Sequence, residues 1–144
     1  QQSLEFSAHW GLLRLWGIVA AYRKHLVLEP AHARLISGIL ASPNAVVSES
    51  FRVQAVSQMF DVLDVPAQLI GHLQIGGDLT SGDPQQRALT LWLTIHGVLQ
   101  LEKMEAISGG LINVNELLRQ SLCDLYQGWS VRNSIDLKLL LEVI

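Results

Sequence analysis

Apolar residues recur at three- and four-residue spacing along almost the whole chain, the period of a helix that buries one side. Leu12, Leu15, Trp16, Val19 and Tyr22 set the first stripe, on a helix expected from near Leu4 or Ala8 to about Val27. Pro30 disfavours helix at the residue before it and favours a new start, so a short helix is expected over 31–40. Ala41-Ser42-Pro43-Asn44 reads as a turn. A third stripe of Phe51, Ala55, Met59 and Val62 or Leu63 marks a helix over about 48–63, and Val65-Pro66 restarts the chain toward Ile75. Gly76-Gly77-Asp78-Leu79-Thr80-Ser81-Gly82-Asp83-Pro84 is the clearest loop, with Asp83 as N-cap and Pro84 in the first turn of the next helix. That helix is expected to carry Trp92 to Glu102 and to stop near Ser108-Gly109-Gly110. A last long helix is expected from Asn113 or Asn115 to Tyr126, with Gly128 as its stop, and 134–144 could add a short one. No alternating β-branched run is bounded by hairpin turns. The expectation is an all-α, multi-helix bundle in one domain, 1–144, with five to seven helices.

Composition adds an anomaly. Of 144 residues, 49% are hydrophobic and only 16% charged, with a mean hydropathy of +0.30. Soluble domains are about a quarter charged. The surplus points to an oligomer interface or an internal pocket. A bilayer span is not expected, because the uncharged run from Ala88 to Leu101 falls short of the ~20 residues required. The net charge is −3 and the basic residues are scattered along the chain, which speaks against direct nucleic-acid binding. The single cysteine, Cys123, permits no internal disulfide, fits a reducing cytoplasm, and reads as a small buried hydrophobe. The chain opens on Gln1 without a signal-peptide pattern, and an upstream segment is expected.

Leu93, Gly97 and Leu101 share one side of their helix. A glycine in mid-helix costs about 1 kcal/mol relative to alanine. The usual offset is a second backbone approaching at that point, and a second copy of the chain would supply one.

These landmarks also resemble, in order, the C-terminal half of TetR-type transcriptional regulators. Ala20-Ala21-Tyr22-Arg23 followed by Pro30 is similar to that family's central helix and the proline-led helix after it. Gly76-Gly77-Asp78-Leu79 with Asp83-Pro84 resembles the loop before its dimerisation helix. Trp92, His96, Gly97 and Leu101 match its C-terminal pattern, and 117–128 matches its last helix. The resemblance covers 12–129. It implies a ligand-binding and dimerisation domain whose two C-terminal helices, 85–107 and 113–128, pair with a second copy. Leu93, Gly97, Gln100, Leu101, Met104, Leu118, Leu122 and Leu125 would form that homodimer interface. The family's N-terminal helix-turn-helix has no counterpart in this sequence, so DNA would be reached only through a domain outside this chain. The residues after Trp129 match nothing in the family.

For chemistry the chain offers little. His25, Glu29 and His32 have the spacing of helical metal ligands, but Pro30 interrupts the helix and no supporting cluster follows, so no metal or other cofactor is expected. Phosphate loop, nucleophile elbow and paired carboxylates are all missing, so an enzyme is not expected. Trp16, Tyr22, Phe51, Met59, Phe60, His72, Trp92 and His96 could line a cavity between the central helices. Such a set suits a small lipophilic effector, with His96 as a polar group at its edge or simply anchored by one hydrogen bond. The alternative is a helical dimerisation or adaptor module that senses nothing.

Overall fold

A computed structural model describes residues 2–42 and 48–130, and of residues 2–10 and Leu12 only the backbone. The helices are α1 (Gln2–Leu28), α2 (Pro30–Ala41), α3 (Glu49–Ile75), α4 (Pro84–Leu99), the single turn α5 (Glu102–Glu105) and α6 (Val114–Trp129). Among the described residues there is no strand, only an isolated antiparallel bridge between Leu79 and Ser130. The expected helix at 134–144 and the residues Pro43 and Asn44 of the expected turn lie outside the described residues.

Local chemistry explains most of the boundaries. Glu29 leaves the helical region (φ −121°, ψ 67°) because Pro30 follows, and Pro30 then opens α2. Ser48 caps α3, its hydroxyl accepting from the Phe51 amide. The Asp83 carboxylate accepts from the amides of Gln85 (2.9 Å) and Gln86 (3.2 Å), capping α4 ahead of Pro84. Asn113 does the same for α6, accepting from the Glu116 amide at 3.0 Å. Gly77 ends the α3 loop in the left-handed region at φ +77°, where a side chain would be strained.

Three expectations change. Pro66 does not restart the chain: α3 runs through it as one helix. Interior proline costs about 3 kcal/mol, but Leu63, Pro66, Ala67, Ile70 and Leu73 are all buried on one face, and that packing offsets the loss. The helix expected over 85–107 breaks after Leu99, where the Leu101 amide bonds back three residues to the Val98 carbonyl and overwinds the chain into α5. Gly128 lies inside α6, which ends on Trp129.

The core gathers around α4, which packs against both α3 and α6, while α1 packs against α3 and α2. Ala88, Leu91, Ile95, Val98 and Leu99 of α4 meet Leu15, Trp16 and Val19 of α1, Ile70 and Leu73 of α3, and Leu118, Leu122 and Tyr126 of α6. The 76–84 loop is strapped to the end of α6. The Thr80 amide donates to the Trp129 carbonyl (2.7 Å) and Arg87 donates to the Thr80 carbonyl (2.6 Å) while lying over the Trp129 ring. The first half of α3 extends beyond this core: Phe51, Val53, Val56, Phe60 and Val62 are exposed, so Phe51 and Val62 are not inner residues.

Trp16 and Tyr126 pack with ring centroids 5.7 Å apart and planes tilted by 42°, and the Trp16 Nε1 and Tyr126 hydroxyl are buried without a hydrogen-bond partner. An unpaired buried hydroxyl costs about 1–3 kcal/mol. Tyr126→Phe is therefore expected to hold or raise the melting temperature, by up to about 10 °C, whereas Tyr126→Ala should cost about 3–5 kcal/mol through the cavity it leaves. Thermal denaturation followed by circular dichroism checks both; a clear loss of stability in the phenylalanine variant would contradict the unpaired hydroxyl.

Candidate functional site

The elbow between α1 and α2 faces the overwound end of α4, and the gap between them is a cleft of about 280 Å³ open to solvent. Arg23 and Leu26 come from α1, Pro30, Ala33, Arg34 and Ser37 from α2, Leu99 and Gln100 from the end of α4, and Glu102 and Lys103 from α5. Leu26 and Leu99 are buried and, with Pro30 and Ala33, form an apolar wall. Arg23 reaches across to the Glu102 carboxylate at 3.4 Å, a partly exposed pair worth under about 1 kcal/mol. Its structural effect is to tie α1 to α5 across the cleft.

Behind the cleft lies a polar network on the flank of α4. His96 is 3% exposed, the only buried polar side chain of the core among the described residues. Its Nδ1 is 2.9 Å from the Tyr22 hydroxyl and its Nε2 is 3.2 Å from the Gln100 amide nitrogen. An amide nitrogen only donates, so Nε2 accepts, Nδ1 carries the proton, and the Tyr22 oxygen accepts from it. With the amide turned over, a neutral ring instead donates from Nε2 to the amide oxygen and accepts at Nδ1 from the Tyr22 hydroxyl. The Trp92 ring stacks on His96 at 5.5 Å, and Tyr22 meets Trp92 edge-on at 6.5 Å. Burial lowers the His96 pKa and raises that of Tyr22. Gln100 belongs to both places: it lines the cleft and holds His96.

The lining set expected from sequence is thus only partly assembled. Tyr22, Trp92 and His96 come together. Trp16 instead fills the core against Tyr126. Phe51 and Phe60 are exposed and Met59 half-buried on the projecting half of α3, and His72 faces solvent on the same helix. Among the described residues the first half of α3 leaves Phe51 and Phe60 exposed, away from Tyr22, Trp92 and His96. Arg23, Arg34 and Lys103 escaped sequence reading: they lie far apart in the chain, and only the fold of α2 against the end of α4 gathers them.

The expected interface residues divide similarly. Leu93, Gly97, Gln100 and Met104 are exposed; Leu101 and Leu125 are half-buried. Leu118 and Leu122 are buried in the chain's own core at 1% and 0% exposure, so neither is available to a partner. Their place on the outer side of α6 is taken by Leu117, 39% exposed. The α4 side facing away from the core reads Gln86, Thr90, Leu93, Gly97, Gln100, all exposed. At Gly97, which the break after Leu99 leaves in the last turn of α4 and not in mid-helix, nothing among the described residues lies within 4 Å of where a side chain would begin.

Pro30 does not keep His25 from His32: the bend stacks the two rings, with Nε2 and Nδ1 3.3 Å apart. Among the described residues no group of three or more metal-ligating side chains forms. Cys123 is half-buried rather than buried; burial, with Asp124 and Glu116 nearby, raises its pKa and keeps the thiol protonated.

The lowered His96 pKa has a consequence for stability. The unfolded chain binds this proton more readily than the folded one, so the contribution of neutral His96 is complete above about pH 6.5 and drains away as pH falls through the lowered folded value. Denaturant titrations at pH 7.5 and 5.0 should show a loss on acidification that His96→Gln reduces. An identical loss in the variant would mean that His96 does not carry it.

No family model, curated protein or solved structure matches the chain, so no relative's activity bears on this site.

Proposed function

We propose that this chain is the effector-sensing and dimerisation domain of a bacterial TetR-like transcriptional regulator, working in the cytoplasm with a DNA-binding helix-turn-helix that lies outside residues 1–144. The observation that carries the reading is Gly97. It sits in the last turn of α4 on the outward side, with nothing among the described residues within 4 Å of where a side chain would begin, and with exposed Leu93 one turn before it. A second α4 crossing there would offset the glycine's cost and cover the leucine, and exposed Leu117 on neighbouring α6 would extend the buried area. Two helices from each copy would then form a four-helix interface.

The cleft supplies the sensing half. Gln100 ends the outward row of α4, lines the cleft and holds His96, so a ligand that favours one placement of the α4–α5 bend would bias the dimer contact as well as α1. Such a device requires only that the ligand bind the two arrangements unequally. The mostly apolar wall favours a small organic effector, and its open, charged rim differs from the closed lipophilic cavity expected from sequence. A helical dimerisation module without a ligand is the second reading, favoured by Trp16 being packed into the core instead of facing a cavity.

Light scattering is expected to give twice the 15.9 kDa of one chain. Gly97→Arg should reduce that to one chain with helicity unchanged, because the added side chain starts in open space within the protomer. A monomeric wild type, or a variant of undiminished mass, would remove the interface from this reading.

A further inference from the structure

We infer that the cleft between α1–α2 and α4–α5 takes an amphiphilic anion: a small hydrocarbon body carrying one oxyanion head. The inference rests on the reading of this cleft as the effector site and names the chemistry of its ligand.

Charge is the first argument. The chain carries −3 overall, yet the cleft holds three cations, Arg23, Arg34 and Lys103, against the single carboxylate Glu102, a local balance of +2. Arg23 is partly neutralised by Glu102, while the side chains of Arg34 and Lys103 make no hydrogen bond or ion pair among the described residues. Two uncompensated cations from different helices converging on one concavity favour an anion by Coulomb attraction, and the planar guanidinium of Arg34 matches a carboxylate or phosphate face.

Polarity is the second. Arg34 and Lys103 are exposed and Arg23 half-buried, whereas Leu26 and Leu99 are buried, at 9% and 7% exposure, and line the cleft with Pro30 and Ala33. A polar anion such as free phosphate would leave that wall wet; a neutral hydrocarbon would leave the cations idle. A head beside the cations with a tail along the wall uses both. The volume, about 280 Å³, is near the low end of ligand pockets, which start at about 300 Å³.

Isothermal calorimetry on the full chain with four eight-carbon probes tests this: octanoate, octyl phosphate, octanol and octylamine. Octanoate or octyl phosphate should bind at least tenfold tighter than octanol, and octylamine least of all. The better of the two anions identifies the head as carboxylate or phosphate. Arg34→Gln combined with Lys103→Gln, both at exposed positions, should weaken the anion tenfold or more while leaving helicity and chain mass unchanged. Octanol binding as tightly as the anions, or anion binding that survives the double substitution, overturns the inference but leaves a sensing site standing. Absence of binding by every probe up to millimolar concentration, with a dimer still present, overturns both and favours the dimerisation module.

Discussion

Burial of one face of α4 is the constraint on which the remaining structure depends. Ala88, Leu91, Ile95, Val98 and Leu99 occupy a single arc of that helix, and α3 and α6 both close on it. At about 25 cal/mol per Å² of apolar surface removed from water, a side chain such as Leu91 or Ile95 contributes about 1.5–3 kcal/mol. No other helix of the described chain packs so extensively against two neighbours. Once that arc is committed inward, the opposite row from Gln86 to Gln100 must face outward, and Gly97 stands in it by geometry.

The flank of the same helix explains the placement of His96. It lies between the buried arc and the exposed row, too deep for water and close enough to α1 to meet Tyr22. A buried imidazole there is tolerable only if both ring nitrogens are satisfied, and Tyr22 and Gln100 do that from opposite sides. Because Gln100 sits where α4 overwinds into α5, the network links the core to the cleft without any long-range mechanism. The electrostatics of the cleft follow from the same bend, which brings Glu102 and Lys103 up against Arg23 and Arg34.

Periodicity and capping chemistry made a large part of this legible in advance. The apolar stripes announced an all-helical chain, Asp83-Pro84 announced the start of α4, and Pro30 announced the bend after α1, because each acts through bonds or sterics within a few residues. Pro66 misled for the same reason: its local cost is real, and only the burial of its neighbours against the core outweighs it. Phe51 and Phe60 were equally opaque, since helical spacing says which residues share a side of α3 but not whether anything packs against that side.

The sequence alone thus determined the helical class, most helix boundaries, and the shared side of α4 that carries Leu93 and Gly97, all consequences of short-range geometry. Tertiary structure decided the rest. Leu118 and Leu122 turned inward while Leu117 remained outside, Trp16 went to Tyr126 instead of a cavity, and three cations scattered along the chain converged on one cleft. Burial and electrostatic convergence depend on which helices meet, and the docking of α2 and α5 around the end of α4 is a long-range arrangement that no local pattern encodes.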